Sequence, residues 1–409
     1  MASFPPFYRM QFYRLILRAR SDDLILEAIS RVKRINFFSY TSLTMTAFVD
    51  TCVQTVAGSA DAVQKMARAR PRARKLLRAL EGKSNILVTT HMHPDPDALA
   101  SSLAICILLS EKLKDATVSL SVKGQIGGGL NTAFTRYTTM ELTPWSDAKL
   151  SKYDAILLLD TQPNFAYSPL PPGMVPTAVI DHHPARGRKP KCDFCDIRTD
   201  VGATSSIVFS YFMELETPIP PDLSATLLYA IESDLAGAAG TPTQLDNIAL
   251  SSLTLTANTR KLYQMRYVDL PQSYYTAYST GLLNAMYFDE VMVSHIGEID
   301  SLEKPAVIAD FLLRFEKVQW SLVTAVHGDR LVMSLRTSCS KGSAGEIMRR
   351  LVRKIGDGGG HRSKAGGYVT LQNGSATEVE RMRKMLKMRL LRSLKTKPDH
   401  GERLVPGAS

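Results

Sequence analysis

Short apolar segments that end in carboxylates recur between residues 84 and 240, and they constrain the fold most strongly. Residues 86–88, 155–159 and 178–180 are three such segments, and segments with apolar residues at helical spacing lie between and after them. A short apolar run, a polar loop and an apolar helical pattern together predict a strand–loop–helix unit. Repetition of this unit predicts an α/β fold in which helices cover a parallel sheet. Ligand sites in such sheets lie at the carboxyl ends of the strands.

The residues at these strand ends are of the types that bind divalent metal ions. His91, Asp95 and Asp97 follow the first apolar run closely, and Asp160 and Asp181 end the next two. Imidazole and carboxylate groups form a ligand set that suits manganese or magnesium better than copper. The alternative for the first loop alone is a polar helix start, because Asp and Pro favour the first positions of helices. The repetition of carboxylates at successive element ends favours the metal site.

The composition is that of a folded globular protein with room for two domains and an appendage. Of the 409 residues 44% are hydrophobic and 22% charged, and no stretch has the roughly 18 uninterrupted apolar residues of a membrane helix. The five cysteines are too few for a disulfide framework, and the pair Cys192 and Cys195 lacks the second pair of a zinc site. No signal peptide is evident. We therefore expect a cytoplasmic protein without membrane attachment.

The charge balance predicts an anionic substrate or partner. The formal net charge is +11 and the pI is near 9.3. Much of the excess lies in residues 65–83 and 381–397, which we interpret as solvated helix faces, with attraction of RNA as the functional alternative. Aromatic residues do not interleave with these charges, so neither segment is typical of a surface on which single-stranded bases stack.

Seven motifs follow one another along the chain. They are T-H-M-H-P-D-P-D-A at 90–98, L-D-T at 159–161, D-H-H-P at 181–184, G-A-T-S at 202–205, I-E-S-D at 231–234, S-L-R-T-S at 334–338 and G-G-G-H at 358–361. With these motifs residues 84–395 resemble the DHH phosphoesterase superfamily. The resemblance is to the branch with a glycine-rich C-terminal DHH-associated domain, and most closely to its nano-RNase/pAp phosphatase type.

This resemblance implies a parallel-sheet catalytic domain, a smaller α/β C-terminal domain and an active site in the cleft between them. It also implies two divalent metal ions, for which manganese is the first expectation and magnesium or cobalt the alternatives. The implied ligands of the first ion are His91, Asp95 and Asp160, and those of the second ion are Asp97, Asp160, His182 and Asp234, so that Asp160 is the bridge. His93 is expected to be structural, because the ligand positions of its motif are already filled.

The remaining motif residues are expected to act on the substrate. Asp181 and His183 are the implied catalytic residues, with Asp181 orienting a ligand histidine and His183 meeting the phosphate. The implied substrate-binding residues are Arg336, Ser338, Gly358, Gly359, Gly360 and His361. Arg336 would grip the phosphate, and the glycines are expected to form a loop whose amides approach an anion closely.

Several positions depart from the pattern of the superfamily, although none of them removes a metal ligand. Pro96 and Ala100 replace glycines in and after the first motif, and Lys364 stands where a small residue is usual. Residues 235–239 lack the Thr and the Phe-Arg pair that often follow the fourth acidic motif. Substrate contacts from that loop are therefore in doubt.

The same patterns divide the chain into five segments. We expect a mostly helical N-terminal extension at 1–83, a DHH catalytic domain at 84–240 and a helical connection at 241–288. A substrate-binding C-terminal domain at 289–395 and a tail at 396–409 complete the chain.

The expected function is hydrolysis of short oligoribonucleotides to mononucleotides and of 3′-phosphoadenosine 5′-phosphate (pAp) to AMP, which makes short RNA and nucleotide phosphates the partners. The enzymatic alternatives are a RecJ-like single-strand exonuclease and a cyclic-dinucleotide phosphodiesterase. Family II pyrophosphatases share the first domain but lack the G-G-G-H motif. A nucleic-acid-binding protein that kept the fold without catalysis is the alternative from another class, and a homodimer is left open.

Overall fold

The computed structural model describes residues 71–406 except 125, 127, 139, 186, 188, 189, 236–241 and 361. Most of the predicted N-terminal extension therefore lies outside the described residues, as does His361. Residues Ala62–Ser409 cluster as one compact unit. The described part of this unit contains two β-sheets.

The first sheet has five strands, all parallel, in the order β2-β1-β3-β4-β5. The strands are β1 (Asn85–Thr90), β2 (Thr117–Leu120), β3 (Ala155–Leu159), β4 (Ala178–Asp181) and β5 (Phe194–Ile197). Every residue of β3 and β4 is buried, as expected for strands with covered faces on both sides. Side chains of alternate residues enter different cores: Leu157 and Leu159 pack in one, and Leu158 packs in the other.

Helices surround this sheet. They are α1 (Arg72–Ala79), α2 (Pro96–Lys112), α3 (Gly128–Thr138), α4 (Thr204–Glu214) and α5 (Pro221–Leu235), with a short 3₁₀ helix at Asp147–Lys152. Helix α1 begins directly after Pro71, whose fixed backbone angle suits a helix start. Asp95 caps α2, since its side chain accepts a hydrogen bond from the backbone amide of Ala98 at 3.0 Å.

The second sheet has seven strands in the order β10-β11-β9-β8-β7-β6-β12. Its strands are β6 (Met286–Phe288), β7 (Val291–Glu298), β8 (Trp320–His327), β9 (Arg330–Thr337), β10 (Gly356–Gly360), β11 (Lys364–Thr370) and β12 (Glu402–Arg403). Only β7 and β8 pair in parallel among these described strands. Helices α6 (Gln244–Thr256) and α7 (Thr259–Arg266) pack in the core of the first sheet. The helices that pack on the second sheet are α8 (Gln272–Leu283), α9 (Lys304–Leu312), α10 (Ala344–Val352) and α11 (Ala376–Leu394).

The predicted fold class is confirmed: the protein is α/β, with an all-parallel sheet and a second sheet. Three details differ from expectation. The glycine segment 358–360, expected as a loop, is part of the edge strand β10. The predicted tail contains β12, which pairs with β6, and β5 was not predicted at all. Among the described helices, none combines the length and apolar character that crossing a membrane requires.

Close packing explains why glycines form an edge strand. A Cβ atom on Gly358 would lie 2.9 Å from the carbonyl oxygen of Gly366 and 2.9 Å from Cγ of Met348 on α10. The glycines thus let the strand and the helix approach each other closely, and this tertiary packing outweighs the low strand propensity of glycine.

We expect Gly358→Ala to lower the free energy of unfolding by about 1–3 kcal/mol, because the added methyl group would force the strand and α10 apart. Urea denaturation measures this change. Gly366→Ala is the matched control on the neighbouring strand, since its Cβ would have Met333 as nearest neighbour at 4.0 Å. Equal stability of the two variants would contradict this account of the glycine segment.

Candidate metal centre

The candidate ligands come together at the carboxyl edge of the first sheet. His91 directly follows β1, Asp160 directly follows β3, and His182 directly follows β4. These three strands are parallel neighbours, so their carboxyl ends lie side by side. Asp160 has a positive φ of 56°, a left-handed conformation that Asp tolerates better than most residues. The carboxylate of Asp160 lies between His91 and His182.

Asp160 has the geometry of a bridge. Its Oδ2 lies 3.6 Å from Nε2 of His91, and its Oδ1 lies 3.5 Å from Nε2 of His182. Nε2 of His182 also faces α5, where Oδ2 of Asp234 lies 3.5 Å from it. One carboxylate thus offers an oxygen to a histidine on each side.

Three overlapping groups of ligand atoms result, and the atoms within each group lie within 4.8 Å of one another. The groups are His91 with Asp95 and Asp160, Asp97 with His182 and Asp234, and Asp160 with His182 and His183. The structure therefore brings together all six residues that were predicted to hold metal. Exposed His93 is in none of these groups. The imidazole nitrogens and carboxylate oxygens of the three groups are ligands that manganese and magnesium accept, so these residues fit the divalent ions that the resemblance implies.

Backbone carbonyls fix the orientation of the two candidate ligand histidines. Nδ1 of His91 lies 3.0 Å from the carbonyl oxygen of Met92, and Nδ1 of His182 lies 3.3 Å from that of Val201. A carbonyl oxygen only accepts, so Nδ1 carries the proton in both rings. The lone pair of Nε2 is then directed at the centre, as in most protein metal sites.

Asp181 contacts a different histidine from the one expected. It was predicted to orient a ligand histidine, but its Oδ1 lies 2.7 Å from Nδ1 of His183, and Val201 orients His182 instead. Since Nδ1 of His183 donates to this carboxylate, it cannot also bind a metal ion. Gln162 completes the arrangement by donating to Oδ2 of Asp181 at 2.6 Å and to the carbonyl oxygen of His183 at 2.9 Å. Gln162 had not been predicted as a site residue.

The N-terminus of α4 holds two of the candidate ligands. The backbone amides of Thr204 and Ser205 donate to the two oxygens of Asp97 at 2.7 and 2.8 Å. The hydroxyl of Thr204 donates to Oδ1 of Asp160 at 2.7 Å. A helix N-terminus favours negative charge, so α4 partly offsets the repulsion between the two carboxylates.

Burial and crowding of charge change the proton affinities at the centre. Burial, together with the charge of Asp234, raises the pKa of Asp97 to about 6. Burial and the charge of Asp97 raise the pKa of Asp160 well above its usual value. Burial alone would lower the pKa of His182, but Asp234 and Asp97 outweigh it and raise that pKa. Such crowding of carboxylates is the electrostatic environment that divalent cations relieve.

The domain around this centre matches a known family. A model described as "DHH family, N-terminal domain" matches residues 85–231. Residues 85–231 are thus similar to the N-terminal domain of the DHH family, and we refer to them as the DHH domain.

The similarity to other proteins extends beyond residues 85–231. The uncharacterized protein MJ1633 of Methanocaldococcus jannaschii is 28% identical over 308 residues, which is 75% of this chain and 62% of that protein. An exopolyphosphatase-related protein from Bacteroides fragilis is similar in fold, with a TM-score of 0.61 at 17% identity over 79% of this chain and 97% of that one. RecJ from Thermus thermophilus with Mn²⁺ matches 79% of this chain and 54% of its own length at 13% identity, with a TM-score of 0.45.

The described residues that were predicted to bind substrate lie outside the DHH domain, in strands of the second sheet or, for Ser338, directly after one. Nε of Arg336 donates to Asp310 at 2.9 Å, and its Nη1 donates to the hydroxyl of Ser334 at 2.7 Å. The backbone amide of Ser338 donates to Gln319, and the predicted glycines lie in β10. The guanidinium of Arg336 thus already binds an anionic group, the half-exposed carboxylate of Asp310.

We expect Thr204→Val to weaken Mn²⁺ binding or turnover by about 10- to 100-fold, because it removes the hydroxyl that orients Asp160 without changing the size of the side chain. Mn²⁺ titration followed by electron paramagnetic resonance measures this effect. Thr226→Val is the matched control in α5, since that hydroxyl donates to the backbone carbonyl of Asp222 within its own helix. If both variants bind Mn²⁺ as the wild type does, the hydroxyl of Thr204 has no role at the centre.

Proposed function

We propose that the protein is a metal-dependent phosphoesterase that hydrolyses short oligoribonucleotides to mononucleotides and pAp to AMP. The observation that carries this proposal is the bridging position of Asp160 between two groups of histidine and carboxylate ligands. Two neighbouring cation sites that share one carboxylate are typical of enzymes that displace oxygen from phosphorus.

In this proposal His91, Asp95 and Asp160 hold one ion, and Asp97, Asp160, His182 and Asp234 hold the other. The ions, when bound, supply a nucleophile at neutral pH and stabilise charge on a phosphoryl group. The chain itself must hold the ligand carboxylates in place. The amides of α4 do this for Asp97, and its first hydroxyl does it for Asp160.

His183 is the group of the DHH domain that we assign to the substrate. Asp181 accepts the hydrogen bond of Nδ1 and thereby fixes the ring, and Nε2 would donate to a phosphate oxygen when the ring carries both protons. Burial would raise the pKa of Asp181, but the hydrogen bond and charge of His183 outweigh it and lower that pKa. Asp181 therefore stays ionised and keeps His183 in one orientation.

Arg336 is the group of the second sheet that we assign to the substrate. Its current partner Asp310 is 49% exposed, so a phosphate group can take the place of this carboxylate at little cost. A guanidinium offers two parallel donors to a phosphate, which fixes both position and orientation.

The identity of the substrate rests on the resemblance of the motifs to the nano-RNase/pAp phosphatase type. The net charge of +11 supports a polyanionic substrate.

A panel of substrates tests this proposal. Wild-type protein is incubated with Mn²⁺ and labelled RNA of about two, five and twenty-four nucleotides, single-stranded DNA, a cyclic dinucleotide or pAp, with EDTA in parallel reactions. We expect release of mononucleotides from the short RNAs and of phosphate from pAp, both abolished by EDTA. Preference for the long RNA or for DNA would replace the proposal with a RecJ-like exonuclease, and turnover of the cyclic dinucleotide alone would replace it with a cyclic-dinucleotide phosphodiesterase. Binding of RNA with no turnover of any compound would indicate a binding protein.

A further inference from the structure

Lys364 belongs to the second sheet but contacts helix α5, which packs beside the first sheet. It is the first residue of β11, and its Nζ donates to the carbonyl oxygens of Ser233 at 2.9 Å and Asp234 at 3.0 Å. The same ammonium lies 3.6 Å from Oδ1 of Asp234. These contacts join the second sheet to the last turn of α5, which carries a candidate metal ligand.

The number of donors indicates what this lysine does. An ammonium group has three donors, and two of them are used on backbone carbonyls. The third faces the carboxylate of Asp234. The protein thus occupies the donors of Lys364 itself, so the geometry is that of a group that holds other residues in place and not of one that grips a substrate.

The last turn of α5 needs such a partner. The final carbonyls of a helix lack partners within the helix and favour a nearby positive charge. The last turn of α5 contains no basic residue of its own, and Lys364 supplies one from 130 positions further along the chain. Asp234 lies in this turn, one residue before the end of the helix. Its position therefore depends on how firmly the turn is held.

We infer that Lys364 is a positioning residue that completes one metal site from the second sheet, by fixing the last turn of α5 and with it Asp234. This inference rests on the metal centre of the proposed function. Only the group formed by Asp97, His182 and Asp234 contains the residue that Lys364 holds. The other predicted site, with His91 and Asp95, has no contact with Lys364 among the described interactions. The effect of Lys364 is therefore confined to one of the two sites.

Charge and positioning have opposite consequences, which makes the inference testable. A lysine that acts only through its charge would repel a divalent cation, so its removal would tighten metal binding. A lysine that positions a ligand would, on its removal, weaken metal binding. Loss of groups that orient metal ligands typically costs 10- to 100-fold in affinity.

The experiment is a Mn²⁺ titration of the metal-free full-length protein, followed by electron paramagnetic resonance without any substrate. We expect Lys364→Met to weaken one of two Mn²⁺ sites by about 10- to 100-fold and to leave the other unchanged. Lys364→Arg, which keeps a cationic donor, should retain most of the affinity. Lys341→Met, which removes an exposed lysine from the loop before α10, should bind as the wild type does.

Other results of the Mn²⁺ titration would contradict the positioning role of Lys364 or the proposed function. Unchanged or tighter Mn²⁺ binding by Lys364→Met, or equal weakening of both sites, would overturn the positioning role. Circular dichroism checks that Lys364→Met is folded, and Lys364→Gln replaces it in the titration if it is not. A wild type that binds two Mn²⁺ ions without hydrolysing RNA or pAp would refute the proposed function and leave the role of Lys364 intact. A wild type that binds no Mn²⁺ would refute both.

Discussion

Asp160→Asn is expected to abolish the proposed phosphoesterase activity, with a loss of at least about 1,000-fold in kcat. In the proposed centre Asp160 would serve both ions, since its two oxygens face His91 and His182. Its replacement by a neutral amide weakens both sites at once. Metal ions contribute several kcal/mol of transition-state stabilisation, and each 1.36 kcal/mol corresponds to tenfold in rate. Steady-state kinetics with saturating Mn²⁺ and the five-nucleotide RNA measures the loss.

The same variant should be more stable than the wild type when metal is absent. Burial and neighbouring carboxylates raise the pKa of Asp160, which means that its ionised form destabilises the folded protein. The amide removes that charge and can still bond the hydroxyl of Thr204. Asp115→Asn, an exposed substitution in the turn after α2, is the control and should change neither activity nor stability. Activity above a tenth of the wild type in Asp160→Asn would refute a bridging role.

The metal-free protein is expected to lose stability as the pH rises from about 4 to about 6. Burial and Asp234 raise the pKa of Asp97 from 3.8 to about 6, so in this window the folded protein keeps a proton that the unfolded chain has released. The free energy of unfolding therefore falls with rising pH, by up to about 3 kcal/mol for this group. At higher pH the loss of a proton from His182 also lowers the free energy of unfolding, because the pKa of His182 is raised in the folded protein.

Urea denaturation of metal-free protein between pH 4 and 7.5 measures this dependence. Mn²⁺ should reverse it, because metal ions bind the deprotonated ligands and stabilise the folded state more at pH 7 than at pH 4. Asp234→Asn is the matched variant. It removes one of the charges that raise the pKa of Asp97, so its loss of stability should begin at lower pH and be smaller. A metal-free wild type whose stability is constant or rises across this window would contradict the electrostatic account of the centre.

Much of the site could be predicted from the sequence because its ligands are local features. His91, Asp160 and His182 each follow a short buried strand, and adjacent parallel strands must place their carboxyl ends together. No single strand end identified the centre. The repetition of the same arrangement at successive strands did so.

The residues that orient the ligands could not be predicted in the same way. Thr204 lies 44 residues from Asp160 in sequence, and Lys364 lies 130 residues from Asp234. Such contacts depend on how helices and sheets pack, which no local pattern encodes. Lys364 was visible in the sequence only as a departure from the usual small residue. The glycine strand β10 is a similar case, since glycine has a low strand propensity and only its packing against Gly366 and Met348 explains the strand.

The pairing of β12 with β6 has a practical consequence for anyone who shortens or extends this chain. Residues Glu402–Arg403 form the outermost strand of the second sheet, and the amide of Leu404 bonds the carbonyl of Ala285. Without them β6 would become an open edge, with unsatisfied amides and carbonyls that can recruit other polypeptides into aggregates. Residues 402–404 therefore cover this edge of the second sheet and protect it from pairing with other chains.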